Sequence, residues 1–489
     1  MKYFFTIFLV LSFVFSNAQK PNILFIVSDD LNTRIGPYLN ISDHTPNLDR
    51  LADQGVTFTN AYCQYPICGP SRASFMSGLY PETNGVTGNV YQLGSYKIAT
   101  PALADHPTMA GFFRNNGYYS ARVSKIFHMG VPGGIERGEA GSDVPESWDY
   151  AHNVMGPETM SPGKLELLSP KNNHYGSNFA SMILPDKYEI AQTDYVATSQ
   201  AIAILENRLG NIPEGATNRV KFKADQPFFL AVGLVRPHVP LIAPENCFAP
   251  YPVENIDLPS GKAGNVPEQA LRRRNEHVWG MNEEQQKKTI RAYLASVRFM
   301  DQQVGRLLDA LDRLGARENT IVIFISDHGY NLGEHNCWSK ISLWDESIKV
   351  PMIISAPGYE KSYGATARSV VELIDLYPTL TDLCGLQKEA PKILQGQSLV
   401  PLLENPEVEN TEDIAYTVSY GGNDGAITTS RWKYSRWGEE TGQGNEELYD
   451  RVNDPREFYN LANEQKFNKI LQEMRKKFEE KRRDTDLKF

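Results

Sequence analysis

The chain has 489 residues, of which 41% are hydrophobic and 22% charged, a composition typical of a globular protein with a sizeable core. Its formal net charge of −10 at pH 7 argues against a nucleic-acid-binding protein, because such proteins carry an excess of Lys and Arg. Five cysteines, at positions 63, 68, 247, 337 and 384, show no CxxC pair and no zinc-type spacing, so they predict no zinc site.

The first 18 residues have the features of a secretory signal peptide. Lys2 supplies the positive charge, Tyr3 to Phe15 form the apolar stretch, and SNA ending at Ala18 is a small-residue cleavage site. A membrane anchor is the alternative, but this apolar stretch is shorter than the about 20 residues that span a bilayer. No later segment of the sequence is apolar enough to span. The sequence therefore predicts an exported protein, periplasmic or secreted, without a membrane span.

Two unbroken apolar runs of strand length are each followed by a pair of metal-ligating residues. NILFIVS precedes Asp29 and Asp30, and TIVIFIS precedes Asp327 and His328. Runs without polar alternation are typical of parallel strands covered on both faces, and functional groups in such sheets gather beyond the carboxyl ends of the strands. If the chain turns out of each strand at these pairs, they would form an oxygen-rich site suited to Ca²⁺ or Mg²⁺. The alternative is that both pairs only cap the turns or helices that follow.

Between these two runs lies the string CGPSR, which starts at Cys68. The Pro two residues after the Cys suits the first position of a helix, so we predict a helix over 71–79 that Gly78 helps to end. Cys68 would then lie at the helix N-terminus, where free N–H groups favour negative charge, and Arg72 would add a cation suited to an oxyanion. One interpretation is a buried structural cysteine, and the other is a nucleophile for an anionic substrate.

Further apolar runs also end in ionisable side chains. YYSARV precedes Lys125 and His128, and FFLAVGLV precedes His238. A fifth strand candidate, VPMIIS at 350–355, leads to no such side chain. A lone Lys is usually a solvated charge and a lone His is often packed in the core, but their position after strands favours a functional role.

The segments between the strand candidates predict helices and irregular loops. Residues 194–209 and 284–314 place apolar side chains at helical spacing, which indicates helices packed on the core. Residues 132–187 are rich in Gly, Pro, Ser and Asn with little periodicity, and 245–280 are similar. Long irregular segments inside compact enzymes often form lids or pocket walls, so we expect 132–187 near the mouth of a site.

After Gly385 the pattern changes to short strand-like runs and a last amphipathic helix over 464–482. The sequence therefore predicts three parts: a signal peptide (1–18), an α/β catalytic domain (19–385) and a C-terminal α+β subdomain (386–489).

The string from Cys68 to Arg72, C-x-P-S-R, resembles the signature of type I sulfatases of the alkaline phosphatase superfamily. The following x-S-F-x-[ST]-G is most similar to the iduronate-2-sulfatase type, and the resemblance extends over about residues 21–461. It implies an alkaline-phosphatase-like α/β/α sandwich with a large mixed, mostly parallel sheet. It also implies a small C-terminal subdomain with an antiparallel sheet and a terminal helix.

The resemblance implies a modified residue and a metal. In this family a maturation enzyme, the formylglycine-generating enzyme, oxidises the Cys to 3-oxoalanine (Cα-formylglycine), so position 68 would carry a hydrated aldehyde. The implied ligands of one Ca²⁺ per chain are Asp29, Asp30, Cys68, Asp327 and His328. Many sulfatases carry Asn at the last of these positions, whereas the iduronate-2-sulfatase type has His.

The resemblance also implies the catalytic roles. Arg72, Lys125 and Lys340 would offset the charge of a sulfate ester. His238 would protonate the departing sugar oxygen, and His128 would accept a proton from the aldehyde hydrate as sulfate is expelled. The implied enzyme is a sulfuric ester hydrolase that acts on sulfated oligosaccharides from glycosaminoglycans or algal polysaccharides. Two alternatives stay open: a phosphonate or phosphate monoester hydrolase of the same superfamily, and an inactive glycan-binding relative.

Overall fold

The computed structural model describes residues 20–39, 44–208, 226–261, 264–410, 412–442 and 444–487. The signal peptide predicted over 1–18 lies outside these residues. Within the described ranges, no helix combines the length and the apolar character that crossing a membrane requires.

Twenty strands in the described residues form five sheets. They are β1 (Asn22–Asp29), β2 (Val56–Phe58), β3 (Ala61–Tyr62), β4 (Tyr119–Ser124), β5 (Tyr150–His152), β6 (Lys164–Leu167), β7 (Ala180–Leu184), β8 (Phe228–Pro237), β9 (Leu241–Pro244), β10 (Thr320–Ser326), β11 (Asn331–Leu332), β12 (Trp338–Ser339), β13 (Lys349–Val350), β14 (Met352–Ser355), β15 (Ala365–Ala367), β16 (Val371–Glu372), β17 (Ala415–Ser419), β18 (Asp424–Thr428), β19 (Trp432–Arg436) and β20 (Glu446–Asp450).

The same residues contain fifteen α-helices. They are α1 (Gly36–Leu39), α2 (Pro46–Asp53), α3 (Cys68–Ser77), α4 (Pro81–Asn84), α5 (Tyr96–Ala99), α6 (Met109–Asn115), α7 (Gly133–Glu136), α8 (Thr193–Arg208), α9 (Glu245–Phe248), α10 (Asn275–Val278), α11 (Glu283–Arg313), α12 (Asp345–Ile348), α13 (Leu376–Leu383), α14 (Val400–Glu404) and α15 (Asn468–Thr485).

The largest sheet has eight strands in the order β15-β2-β14-β10-β1-β8-β4-β5. The central strand β1 pairs in parallel with both β10 and β8, and β4 and β5 continue in the same direction. Only β14 runs antiparallel to its two neighbours. The prediction of a large mixed, mostly parallel sheet is therefore confirmed.

Two layers of helices cover this sheet. Along β1, Leu24 and Ile26 belong to the core shared with α8 and α11, whereas Phe25 and Val27 belong to the core shared with α3, α6 and α13. Because successive side chains of a strand point to opposite faces and both faces are covered, β1 is apolar from Ile23 to Val27 and buried at every position. This arrangement is the predicted α/β/α sandwich.

The predicted strand 350–355 differs from the structure in a way that bears on the site. Pro351 lacks an N–H group for a sheet ladder and separates β13 from β14. Since β14 runs antiparallel to β10, its carboxyl end lies at the opposite edge of the sheet from Asp327. The residues that follow β14 therefore lie away from the edge where the other four candidates end.

The predicted helices are present with small changes in their bounds. The helix predicted over 284–314 is α11, whose start is fixed by a capping box between Asn282 and Gln285. The helix predicted over 194–209 is α8, and residue 209 lies outside the described ranges. The last helix was predicted over 464–482, but α15 begins at Asn468 after a 3₁₀ turn and continues to Thr485. Its last turn is held because Gln395 donates to the carbonyl of Thr485 at 3.1 Å.

Strands β17 to β20 form the predicted small antiparallel sheet. Phe478 of α15 packs against the rings of Tyr416 and Tyr434, so the terminal helix covers one face of this sheet. The boundary at residue 385 stays a prediction. All five cysteines lie in the described ranges, where each is buried and none forms a disulfide.

Candidate active site

The chain turns sharply where β1 ends, as the predicted metal site requires. Asp30 has a φ of 64°, and its carbonyl accepts a hydrogen bond from the Tyr293 hydroxyl at 2.8 Å. The register of β1 against β8 also shifts just before Asp29. As a result both carboxylates meet cations: Asp29 Oδ1 lies 3.3 Å from Arg72 Nη2, and Asp30 Oδ1 lies 2.7 Å from Lys340 Nζ.

The end of β10 brings a second pair to the same place. His328 Nε2 lies 3.2 Å from Asp30 Oδ1, and Asp327 Oδ1 accepts the backbone N–H of Asp30 at 3.1 Å. A glycine after such a turn often supplies a left-handed φ, but the φ of Gly329 is not left-handed. A Cβ at Gly329 would instead lie 2.2 Å from the carbonyl oxygen of Glu346, so the glycine is required by a close approach of two backbones.

Helix α3 begins at Cys68 itself, not at residue 71 as predicted, and ends at Gly78 with a φ of 71°. Pro70 therefore occupies the third position of the helix. Its missing N–H costs no hydrogen bond there, because the first four N–H groups of a helix have no partner within the helix. The prediction that Cys68 lies at a helix N-terminus is unaffected by this shift.

Cys68 is fully buried among charged groups. Its Sγ lies 3.2 Å from Lys340 Nζ, 3.4 Å from His328 Nε2 and 3.8 Å from Asp30 Oδ1. Burial and the neighbouring Asp29 raise the pKa of this thiol, but the surrounding cations, among them Lys340 and Lys125, lower it, and the pKa falls to about 7. The unmodified cysteine is therefore in a setting that stabilises negative charge at position 68.

Arg72 and Lys125 lie behind the carboxylates and hold them in place. Arg72 is fully buried, and it donates to Asp327 Oδ2 at 2.8 Å and to the carbonyls of Lys125 and Ile126 at 2.6 and 3.0 Å. Lys125 Nζ donates to Asp29 Oδ2 at 2.5 Å. The two cations thus fix the orientation of two carboxylates before any ligand binds.

His128 is buried, and neither of its ring nitrogens has a hydrogen-bond partner among the described residues. Burial lowers its pKa well below the usual value, and the neighbouring Lys125 lowers it further. The ring is therefore neutral near pH 7. A neutral imidazole with free nitrogens is able to accept a proton.

His238 approaches the cluster from the segment that follows β8. Its Nδ1 lies 2.6 Å from the carbonyl oxygen of Val239, which accepts only, so Nδ1 carries a hydrogen. Nε2 then faces the cluster, 3.9 Å from Asp30 Oδ2. This is the orientation that a proton donor to a bound ligand requires.

The residues fit a bound divalent cation. Two overlapping groups each place four potential ligand atoms within 4.8 Å of one another: Asp29, Cys68, Asp327 and His328, and Asp29, Asp30, Cys68 and His238. Asp30 Oδ2 is buried without a hydrogen-bond partner in the described residues, which is costly unless a cation pairs with it. A donor set rich in carboxylate oxygens suits a hard cation such as Ca²⁺.

The protonation of His328 supports the same conclusion. Burial lowers its pKa, but Asp327, Cys68 and Asp30 raise it well above the usual value, so a proton offsets part of their charge. A cation bound among these residues would take over that role, because metal ligands bind in their deprotonated form.

Other polar groups of the site were not predicted from the sequence. Ser326 Oγ accepts from the N–H of Leu31 and donates to the carbonyl of His328, which ties the ends of β1 and β10 together. Asn89 Oδ1 accepts from the N–H of Gly69 at 2.9 Å. A serine closing both apolar runs was a visible signal for the first contact, whereas no spacing or motif marks Asn89.

Two residues outside the motifs contact His128, and a third residue, a histidine, has only a packing role. The ring of Tyr91, 61% exposed, packs edge-on against His128 with centroids 4.9 Å apart. Ser142, in the irregular segment predicted near the mouth, donates to the carbonyl of His128 at 2.9 Å. By contrast, His335 stacks on Trp344 at 4.2 Å, and burial lowers its pKa to about 3, so it is a packing residue.

Comparison with known proteins agrees with this geometry. The family model "Sulfatase" matches residues 21–131 and 212–386, and the model "N-sulphoglucosamine sulphohydrolase, C-terminal" matches residues 333–484. A protein named sulfatase from Formosa agariphila is 34% identical over 468 residues, which are 94% of this chain and 86% of that protein. Iduronate 2-sulfatase from Homo sapiens is 33% identical over 416 residues, 76% of this chain and 70% of that protein.

The fold is similar to that of solved structures. The structure of BT4656 in complex with its substrate, D-glucosamine-2-N,6-O-disulfate, has a TM-score of 0.72 at 21% identity. The alignment covers 95% of this chain and 98% of that chain. This likeness concerns the fold, and it extends over nearly the whole molecule.

Proposed function

The chain belongs to the sulfatase family of sulfuric ester hydrolases, and from this premise we propose an exported, formylglycine- and calcium-dependent sulfatase acting on sulfated oligosaccharides. The observation that carries the proposal is one buried cluster in which Cys68 Sγ lies within 4 Å of Asp30, His328 and Lys340. Export rests on the predicted signal peptide. Sulfated sugars are proposed because relatives named for them, such as iduronate 2-sulfatase, cover most of this chain.

Two groups complete the proposed site. Asp29, Asp30, Asp327, His328 and the modified Cys68 would hold one Ca²⁺, which when bound supplies fixed positive charge beside the sulfate group. The C-x-P-S-R string is the support for conversion of Cys68 to Cα-formylglycine by a maturation enzyme. The hydrated aldehyde supplies a hydroxyl nucleophile and a route to release sulfate by elimination.

The cations of the chain have different parts in this proposal. Lys340 is 12% exposed and reaches both Asp30 and position 68, so it is placed to bind a sulfate oxygen. Arg72 and Lys125 donate to Asp327 and Asp29, so they act by orienting these carboxylates. Groups that are fixed before the substrate binds cost little reorganisation in the transition state.

The two histidines divide the proton transfers. His128 is neutral near pH 7 and has two free nitrogens, which suits a proton acceptor at position 68. His238 presents Nε2 to the cluster and, once protonated there, donates to the leaving sugar oxygen. This division follows from their different hydrogen bonds and surroundings.

Sulfate release from a panel of defined sulfated oligosaccharides tests the proposal. The protein is first shown by mass spectrometry of the tryptic peptide ending at Arg72 to carry the aldehyde at position 68. Nitrophenyl sulfate, phosphate and phosphonate esters are compared in parallel. We expect sulfate release from at least one oligosaccharide and preference for the sulfate ester. A converted protein that prefers phosphonate or phosphate, or that binds sulfated sugars without releasing sulfate, would contradict it.

A further inference from the structure

The strand that leads to Lys340 is held by a segment with three consecutive arginines. The carbonyl of Arg273 accepts the N–H of Trp338 at 3.1 Å, and Arg274 forms an isolated β-bridge with Cys337. Lys340 follows two residues after Trp338, a span of at most about 7 Å, and Ser339 between them turns the chain with a φ of 74°. The backbone of Arg273 is therefore fixed close to the proposed sulfate-binding lysine.

The three arginines differ in their partners. Arg272 pairs with Asp424 at 2.7 Å, and Arg274 pairs with the exposed Glu268 at 2.6 Å. No hydrogen bond or ion pair of the Arg273 guanidinium occurs within the described ranges, and its Nε is buried without a partner. Burying part of a guanidinium without any hydrogen-bond or ion-pair partner is costly, and an anion that binds to it would offset that cost.

The Arg273 side chain packs on a cluster of aromatic rings, and the same cluster includes Tyr330, which follows the Asp327 to Gly329 turn. Its guanidinium lies over the ring of Trp279, 4.7 Å from the centroid. Trp279 packs on Phe179 at 5.6 Å, and Phe179 packs edge-on against Tyr330 at 6.2 Å and against Trp338 at 5.7 Å. Because the cluster restricts the guanidinium, binding an anion costs little side-chain entropy.

Tyr330 connects the two charged regions. It follows the Asp327 to Gly329 turn, is buried, and stacks on Tyr293, which itself hydrogen-bonds Asp30. Tyr330 therefore packs between Phe179, which supports Trp279 beneath the Arg273 guanidinium, and Tyr293, which contacts the backbone of Asp30.

We propose that Arg273 binds a second anionic group of the substrate, a carboxylate or a second sulfate, and so selects sulfated sugars that carry more than the one scissile charge. The inference rests on the proposed function and names the substrate class more narrowly. The planar fork of an arginine pairs with two oxygens of either anion, and the lack of an internal partner leaves this fork open.

The test compares Arg273→Gln with wild type on three substrates: nitrophenyl sulfate, a sulfated uronic acid disaccharide and a disulfated glucosamine. Loss of a charged hydrogen bond is expected to lower kcat/KM about 10- to 100-fold on the sugar whose anion it binds. Nitrophenyl sulfate, which has no second anion, should stay within about twofold. The sugar that shows the loss tells a carboxylate from a second sulfate.

Two further variants keep the inference falsifiable. Arg274→Gln removes the same charge one residue away and should leave all three substrates unchanged, and Arg273→Lys should give an intermediate loss because it keeps the charge without the fork. Equal losses on all three substrates, no loss on any, or the same selective loss in Arg274→Gln would overturn the inference. Wild type that releases no sulfate from any ester would contradict the proposed function instead.

Discussion

Two regions of the molecule bury clusters of opposite charges, the active site and the junction between the central sheet and the small C-terminal sheet. At the junction, Lys433 Nζ lies 3.0 Å from Asp345 Oδ1 and 2.6 Å from Glu457 Oε1. Arg451 donates to the Tyr62 hydroxyl at 2.5 Å and lies 3.5 Å from Asp345 Oδ2. We call these five residues the junction cluster, and each of its cations has a carboxylate partner.

The active site contains equally short ion pairs but leaves polar atoms open. Asp30 Oδ2 and both nitrogens of His128 are buried and have no hydrogen-bond partner among the described residues. The same local chemistry therefore serves two purposes. A buried cluster that satisfies its own charges joins two parts of a fold, whereas one that leaves atoms open is prepared for a cation and an anionic ligand.

The largest expected effect is on Cys68→Ala, which removes the proposed nucleophile. We expect the rate of sulfate release to fall about 10⁴-fold or more, while the thermal midpoint stays close to wild type, because no structural ion pair is lost. Sulfate release and thermal unfolding measure the two effects. Cys384→Ala, which changes a buried cysteine of the hydrophobic core, should keep full activity. Wild-type-like turnover by Cys68→Ala would end the assignment of the nucleophile.

The next largest effect is expected from removal of divalent cations, which should act on the active site and not on the junction cluster. Exhaustive chelation should lower activity about 100-fold or more, and added Ca²⁺ should restore it. Ca²⁺ should also raise the thermal midpoint by mass action. Asp30→Asn should weaken this shift, whereas a junction variant, Lys433→Met, should still show it. Full activity after chelation would show that sulfate release does not need a divalent cation.

The two regions can be compared directly by removing one lysine from each. Lys433→Met leaves Asp345 and Glu457 buried without a cation and should destabilise the fold by about 3–5 kcal/mol, with activity retained below the lowered thermal midpoint. Lys340→Met should lower kcat about 10²- to 10³-fold, as for loss of one oxyanion-stabilising group, with a smaller change in thermal midpoint measured with Ca²⁺. A loss of activity without destabilisation in Lys433→Met, together with destabilisation without a loss of activity in Lys340→Met, would contradict the roles given to the two clusters.

Much of the site was predictable because its residues follow recognisable local patterns. Asp29, Asp327 and His238 come directly after apolar strands, and parallel strands bring their carboxyl ends to one edge. The C-x-P-S-R string placed Cys68 beside them. Neither inference needed knowledge of how distant segments pack.

The parts that were wrong or missed depend on long-range packing. The direction of β14 follows from its pairing with β10, which its own sequence does not encode. The role of Gly329 depends on the approach of Glu346, and that contact is visible only in the fold. Tyr91, which packs on His128, and Arg273, which lies over Trp279, come from irregular segments without periodicity, so no sequence pattern marked either residue.

The smallest expected effect concerns Glu346, which lies next to the junction cluster. One of its carboxylate oxygens is buried without a partner in the described residues. Burial, and then the charges of Glu334 and Glu457, raise its pKa to about 8. The folded protein therefore keeps a proton that the unfolded chain releases above about pH 4.5, so stability contributed by this group falls as the pH rises towards and through 8.

Glu346→Gln removes this titration, because the amide is neutral at every pH. The thermal midpoints of variant and wild type should agree near pH 5 and differ by roughly a few degrees at pH 9, with the variant higher. A series of unfolding curves from pH 5 to 9 measures the difference, and Glu360→Gln, at an exposed position, is the matched control. A difference that does not change with pH would mean that the carboxylate is ionised throughout, and that the junction tolerates a further buried charge.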